Sequence, residues 1–202
     1  MSLTDLVDVV ESLTTVEEIT NTIVGNFEDY PNIQAGFKSY ISDIERYDFD
    51  DFKQDVINML NAINNFSEEE FGALNLALED LGSWYFEEAV DVVNRDDYIY
   101  FPEVESDYDL GETYVKYIGS IEDAVGKEDL PDYINVEEIA KSYYEDEEDE
   151  DVDLEDYISS VAVEVEEHPE DFLDFFDYEA FGSDLRVNDG WYIGNTGAIW
   201  TQ

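Results

Sequence analysis

Apolar residues recur at steps of three and four along much of the chain, which is the spacing of one face of an α-helix. Two such stripes precede Gly25, and the clearest contains Phe49, Phe52, Val56, Met59 and Ile63. Asp and Glu fill many of the positions between the apolar residues. The pattern therefore predicts amphipathic helices whose outer faces are acidic.

Capping boxes mark several predicted helix starts, because a Ser, Thr or Asn is followed three residues later by an acidic residue. The pairs are Thr15 with Glu18, Ser67 with Glu70, Ser106 with Asp109, and Asn135 with Glu138. Residues 26–40 contain a proline and a glycine and lack a capping box, so they are predicted to form a loop with a short extended piece.

Two regions favour strands. Tyr98–Phe101 is a run of four β-favouring residues that ends at Pro102. After Gly182, short apolar segments at 185–187, 191–193 and 198–200 alternate with Gly- and Asn-containing turns, which predicts a meander of strands. These strands and Tyr98–Phe101 are expected to form one small antiparallel sheet covered by helices.

The predicted fold class is α+β, mainly helical and elongated, with a small helix bundle followed by a C-terminal domain that contains the sheet. The predicted divisions are an N-terminal helical segment at 1–39, the helix bundle at 40–95 and the C-terminal α+β domain at 96–202. An acidic insertion at 120–168 interrupts that last domain and holds 20 of the acidic residues.

The charge changes this picture of an ordinary small protein. The chain has 55 Asp and Glu against 8 Lys and Arg, a formal net charge of -47, yet 15% of its residues are aromatic. A chain so rich in aromatic residues is expected to fold despite its self-repulsion. The same charge excludes binding to nucleic acid and to anionic membranes. The absence of cysteine and of a predicted signal peptide or membrane span indicates a cytoplasmic protein.

Candidate chemistry is sparse, and the chain is predicted not to be an enzyme and to need no cofactor. A general acid requires one carboxyl in a distinctive environment, and nothing in a uniformly acidic chain marks one. His168 is predicted to be a surface or capping residue. Asp149, Asp151 and Asp153 alternate as in a calcium-binding loop, but Leu154 stands where that loop needs glycine, so no dedicated metal site is predicted.

The segment from Arg95 to Gly119 joins a predicted strand, a turn and an acidic helix. We interpret its carboxylates, with those of two later segments, as imitations of DNA phosphates that a DNA-binding protein would recognise. The predicted phosphate-mimicking residues are Asp96, Asp97, Glu103, Glu105, Asp107, Asp109, Glu112, Glu145, Asp146, Glu147, Glu148, Asp149, Glu150, Asp151, Asp177 and Glu179. Leu110, Tyr114, Tyr117 and Ile118 are predicted to share the buried face of the acidic helix.

Two stretches resemble the ArdA family of antirestriction proteins: DDYIYFPEVESDYDLGETYVKYIG from Asp96, and FFDYEAFGSDLRVNDGWYI from Phe175. The resemblance implies a dimeric DNA mimic that occupies the DNA-binding groove of type I restriction-modification enzymes, encoded by a phage or mobile element. It also implies that the acidic helix carries the antirestriction motif and the dimer contact. The motif residues expected in structural or dimer roles are Leu110, Gly111, Tyr114, Tyr117, Ile118, Phe176, Tyr178, Phe181 and Gly182.

The chain departs from the pattern of this family in three places. Residues 1–30 offer two short helices in place of a small α/β domain, and residues 120–168 separate two segments that are normally close together. Ser183 stands where the family has an arginine.

Other interpretations of the charge remain open. A retargeted mimic would bind a CRISPR effector, a BREX methylase or RNA polymerase, and an acidic chaperone or interaction module would bind basic proteins without discrimination. Salt adaptation and an acidic tail agree less well with charge that lies on every predicted helix and is densest at 120–168.

Overall fold

The computed structural model describes residues 2–144 and 154–202 and has a mainly helical α+β fold with a three-stranded antiparallel sheet. The chain divides into two compact units. Unit 1 consists of Met1–Glu105 and Gly190–Gln202, and unit 2 consists of Ser106–Asp189. These divisions do not coincide with the predicted bounds at 39/40 and 95/96.

Unit 1 is built on helices joined by short turns. They are α1 (Leu3–Ser12), α2 (Val16–Asn26), α3 (Pro31–Ile44), α4 (Phe49–Ala62), α5 (Glu68–Leu81) and α6 (Phe86–Asn94). A 3-10 helix, Ser83–Tyr85, connects α5 to α6. The side chains of Ser2, Thr15, Asp48 and Ser67 each accept a backbone N–H in the first turn of the helix that follows, and Ser67 forms a complete capping box with Glu70.

The helices of unit 1 share one apolar core. Leu6 of α1 and Ile19 of α2 belong to the same buried cluster as Phe37, Phe52 and Leu60 from the helices that follow. The N-terminal helices are therefore part of the bundle, because their apolar stripes complete its core.

Helix α3 contradicts the predicted loop at residues 26–40. Pro31 occupies the first turn, where a missing N–H costs no hydrogen bond. Ile33, Phe37 and Ile41 then recur every four residues and are buried. Gly36 lies in the middle of the helix because a Cβ there would collide with the ring of Phe86. Proline and glycine thus mark a helix start and a close packing contact in this segment.

The sheet completes unit 1 and confirms the predicted pairing of the segment at 98–101 with the C-terminal strands. Strands β1 (Tyr98–Pro102), β2 (Tyr192–Gly194) and β3 (Gly197–Thr201) have the order β1-β3-β2, and both pairings are antiparallel. Ile199 enters the core, and Tyr98, Tyr100 and Tyr192 pack against it. The predicted strand at 185–187 is wrong, because those residues lie near the end of a helix, Tyr178–Asn188.

Unit 2 is helical. Its elements are α7 (Asp107–Ile118), α8 (Ile121–Val125), α9 (Leu130–Tyr133), α10 (Val136–Tyr144), α11 (Leu154–Glu167), the 3-10 helix Pro169–Phe175, and α12 (Tyr178–Asn188). Ile121, Leu130, Ile139 and Val161 are buried. The described parts of the predicted insertion at 120–168 therefore contribute helices and buried side chains to this unit.

Polar side chains of the described residues lie almost entirely at the surface. Asn75 is the only polar or charged residue among them that is buried, so each described carboxylate is at least partly exposed. Within the same residues, no helix has the length and apolar character needed to cross a membrane.

Burial predicts which aromatic residues hold unit 1 together. Phe86 is 1% exposed, its ring centroid lies 4.5 Å from that of Phe37, and it covers Gly36. We expect Phe86→Ala to lower the free energy of unfolding by about 3–5 kcal/mol, because it leaves a cavity that neighbouring helices cannot fill. Urea unfolding followed by circular dichroism measures the change.

Trp84→Ala is the matched control, because Trp84 is two residues away and 71% exposed. It should change the free energy of unfolding by less than about 0.5 kcal/mol. Equal losses in the two variants would contradict the assignment of Phe86 to the core.

Candidate functional site

The two segments that resemble the ArdA family meet in unit 2, where α7 packs against α12. Gly111 and Gly182 lie at the crossing of the two helices. A Cβ added at Gly111 would collide with the backbone oxygen of Tyr178, and one at Gly182 would collide with the backbone oxygen of Asp107. The helix backbones are therefore in direct contact, and only glycine fits at these two positions.

Aromatic side chains surround this crossing. Phe176 and Phe181 are each 5% exposed, and their ring centroids are 5.6 Å apart. The ring of Tyr178 contacts that of Phe176 at 4.9 Å and that of Tyr108 at 5.5 Å, both edge to face. Edge-to-face contacts between aromatic rings stabilise a cluster beyond the area that it buries. The cluster fixes the start of α12 against α7.

Tyr133 links this cluster to the segment 120–168. Its ring contacts Phe181 at 5.3 Å, its hydroxyl donates to Oδ2 of Asp184 at 2.7 Å, and its backbone oxygen accepts from the N–H of Asp177 at 2.8 Å. Burial, followed by the hydrogen bond to Asp184, raises the pKa of Tyr133 well above its usual range. The phenol therefore stays protonated and donates to the carboxylate.

Several predicted phosphate-mimicking carboxylates have structural contacts of their own. Asp107 binds Arg186 through both carboxylate oxygens, at 2.8 and 3.2 Å. Asp109 accepts the hydroxyl of Ser106, the residue that caps α7. Asp177 caps α12 by accepting the N–H of Ala180 at 2.9 Å. These carboxylates stabilise helix ends and the α7–α12 pair whatever else they bind.

Two further carboxylates pair with nearby cations. Oδ2 of Asp97 lies 3.2 Å from Nε of Arg95, and Oε2 of Glu112 lies 2.8 Å from Nζ of Lys116 one turn later in α7. Asp96, Glu103, Glu105 and Glu179 are exposed, and the other predicted positions among the described residues are partly exposed or exposed. Glu145 to Asp151 and the alternating Asp149, Asp151 and Asp153 lie outside the described residues.

The prediction that one face of α7 is buried is confirmed for the first half of the helix and wrong for its last turn. Leu110 and Gly111 are buried, and Tyr114 is partly buried. Tyr117 is 60% exposed and Ile118 is 37% exposed, although both were predicted to be buried. The apolar stripe of α7 is therefore covered as far as Val115, and its last two residues face solvent.

Sequence reasoning missed Arg186, Tyr133 and Asp184. The residues around Arg186 predict a strand. Arg186 is also the only Lys or Arg between Glu170 and Asp189, and this isolated cation was a signal for an ion pair. Tyr133 and Asp184 are 51 residues apart, and no spacing in the sequence relates them.

The arrangement presents anionic surface and lacks the features of a built metal centre. Among residues 2–144 and 154–202, no group of three or more His, Cys, Asp or Glu side chains is placed to hold a metal ion. His168 is exposed and precedes the 3-10 helix without capping it through its side chain. The carboxylates can bind cationic groups by charge and hydrogen bonding.

No protein-family model, curated protein or solved structure matches this chain. The resemblance to the ArdA family therefore stays a prediction that rests on the two segments quoted above.

The glycine crossing can be tested by adding a single methyl group. Gly182→Ala should lower the free energy of unfolding by at least about 2 kcal/mol, because the α7 backbone must move away. Gly25→Ala is the control: Gly25 is also helical, but a Cβ there meets nothing within 4 Å. That change should leave stability unchanged or raise it by about 0.5–1 kcal/mol. Thermal unfolding of both variants measures the difference.

Alkaline pH tests the contact between Tyr133 and Asp184. The folded-state pKa of Tyr133 is raised, so its contribution to stability is fully present below about pH 10 and is lost as pH rises through the folded-state value. Tyr133→Phe should therefore show a shallower loss of stability above about pH 10 than the parent protein. Tyr47→Phe, at a 56% exposed tyrosine, should leave the slope unchanged. Urea titrations at a series of pH values measure the slopes, and identical slopes for parent and Tyr133→Phe would contradict the assignment.

Proposed function

We propose that this protein is a DNA mimic that inhibits a bacterial defence enzyme, with type I restriction-modification enzymes as the first target. The observation that carries the proposal is the placement of charge. Asn75 is the only buried polar residue among those described, so the carboxylates of both units are available at the surface. A cationic groove built for DNA would attract such a surface.

The few cations of the chain leave this charge largely intact. Arg46 pairs with Asp43 and Lys116 with Glu112, in each case within a turn of the same segment. Lys53 instead donates to the backbone oxygens of Glu11 and Leu13, which fastens α4 to the end of α1. The cations thus make structural contacts with a few partners, and the 55 Asp and Glu far outnumber the 8 Lys and Arg.

Both units contribute to the proposed mimicry. The segments of unit 1 contain 25 acidic and 4 basic residues, and unit 2 contains 30 acidic and 4 basic residues. Residues 190–202 carry no charge, which suits their place in the sheet. A field summed over so many carboxylates should depend little on any one of them.

The proposal includes a homodimer in the cytoplasm of the host cell, with the protein encoded by a phage or mobile element. Tyr117 and Ile118 are exposed at the end of α7, the helix whose motif the resemblance associates with the dimer contact. An exposed aromatic and aliphatic pair on so charged a chain supports an interface at this point.

Competition with DNA tests the mimicry. A purified type I restriction enzyme should be inhibited, and added duplex DNA should displace the protein. We expect binding to weaken at least about tenfold between 50 and 300 mM NaCl, because opposed charges drive the encounter. Fluorescence anisotropy with labelled protein measures both effects.

Two controls separate mimicry from general acidity. Glu103→Gln should change affinity by less than about twofold, because one charge among many is lost. A basic protein without a groove built for duplex DNA, such as lysozyme, should bind far more weakly than the enzyme. Equal binding to lysozyme would favour an acidic interaction module, and inhibition that is insensitive to salt would contradict the electrostatic mechanism.

A further inference from the structure

Unit 1 contains a cleft of about 710 Å³ whose lining residues all belong to that unit. It is bordered by the start of α3, one side of α5 from Glu68 to Glu79, the end of β1 and the turn between β2 and β3. Two tyrosines, Tyr30 and Tyr100, line it together with several carboxylates. Its chemistry differs from that of the open acidic surface because aromatic rings and a buried amide belong to it.

The aromatic walls are held in place. The hydroxyl of Tyr100 donates to the backbone oxygen of Thr196 at 3.3 Å. It also lies over Gly72, where an added Cβ would come within 2.8 Å of that hydroxyl. The ring of Tyr30 packs against Phe71 at 5.5 Å. Both rings are partly buried, so the cleft has fixed aromatic surfaces.

The carboxylates give the cleft a strong preference for cations. Asp29, Glu68, Glu69 and Glu79 line it, and no Lys or Arg is among the residues described there. Glu79 is oriented by Asn195, whose side-chain amide donates to it at 2.6 Å. Glu68 and Glu69 are exposed in the first turn of α5.

Asn75 adds a buried hydrogen-bond donor to this cleft. The side chain is 4% exposed, and its Oδ1 accepts the backbone N–H of Asn32 at 3.0 Å. Because only the oxygen of an amide accepts, this bond fixes which atom is Nδ2. Nδ2 of Asn75 has no hydrogen-bond partner among the described residues. Every side-chain nitrogen of those residues that is fully shielded from solvent does have a hydrogen-bond partner. Nδ2 therefore keeps access to solvent through the cleft, where an acceptor of a ligand can reach it.

We propose that this cleft binds an arginine side chain presented by a basic protein segment. The guanidinium group lies against the rings of Tyr30 and Tyr100 and faces Glu68 and Glu69. The backbone carbonyl beside that arginine accepts a hydrogen bond from Nδ2 of Asn75. Arginine suits the cleft better than lysine, because its planar guanidinium group stacks on aromatic faces and binds carboxylates through several N–H groups.

The peptide Ac-Gly-Arg-Gly-NH2 is the probe for this site. It should shift the side-chain amide resonance of Asn75 in ¹H–¹⁵N NMR spectra and bind about tenfold more tightly than its citrulline analogue, which has the same shape without the charge. Ac-Gly-Lys-Gly-NH2 should bind more weakly than the arginine peptide. An unmoved Asn75 resonance, or equal binding of the lysine or citrulline peptide, would overturn the proposal.

Matched variants separate the cleft from the overall field. The pair Glu68→Gln and Glu69→Gln should weaken binding of the arginine peptide at least about fivefold, since it removes carboxylates that face the guanidinium group. The pair Asp50→Asn and Asp51→Asn removes the same charge from the first turn of α4, outside the cleft. It should weaken binding less than about twofold. Equal effects of the two pairs would show attraction to general charge only and would overturn the site.

Tyr30→Leu provides a third variant, because it keeps an apolar side chain and removes the aromatic face. It should weaken the arginine peptide more than the lysine peptide, and circular dichroism should show an unchanged fold. The probe is a tripeptide and unit 1 holds the whole cleft, so binding of the peptide can be measured without a restriction enzyme. Failure of the arginine-binding proposal is therefore distinguishable from failure of the proposed DNA mimicry.

Discussion

Mutual repulsion among 55 carboxylates opposes every compact state that this chain can adopt, so each element must keep its acidic side in water while it contributes to a core. Most helices of the described residues meet this constraint by burying one stripe, and α5 differs because all of its residues from Ala73 to Leu78 are buried. In unit 1 those stripes form a single core from Leu6 to Ile199. Helix ends add to the same solution, because Asp and Glu in first turns satisfy free N–H groups and lie at the positive end of the helix dipole. Charge placed in this way costs less stability than the same charge placed at random.

Unit 2 shows how the two motif segments depend on close backbone packing. Gly111 and Gly182 allow α7 and α12 to touch, and Arg186 then reaches Asp107 across the pair. Aromatic residues at Phe176 and Phe181 close the crossing. The carboxylates of these segments are thus held on a framework whose geometry is set by small and aromatic residues.

The proposed activities use this charge at two levels. A summed field attracts a cationic groove and tolerates the loss of single carboxylates. The proposed cleft around Asn75 combines a donor, aromatic faces and carboxylates within one site, where the position of a removed carboxylate should decide its effect. The summed field favours fast encounter with many basic proteins, and the proposed cleft would distinguish among them.

The sequence by itself determined the helix periodicity, the caps at Thr15, Ser67 and Ser106, and the pairing of the segment at 98–101 with the C-terminal strands. It also determined the acidic character of the outer helix faces. These features follow from local spacing and composition. Tertiary structure alone decided that residues 31–44 and 185–187 are helical. Burial of Ile33, Phe37 and Leu185 on the inner faces of these helices outweighs the local signals of proline, glycine and β-branched residues. Tertiary structure also decided that Tyr117 and Ile118, at the end of the apolar stripe of α7, are exposed. Periodicity specifies which face of a helix is apolar, whereas the length over which that face is covered depends on which residues, distant in sequence, pack against it.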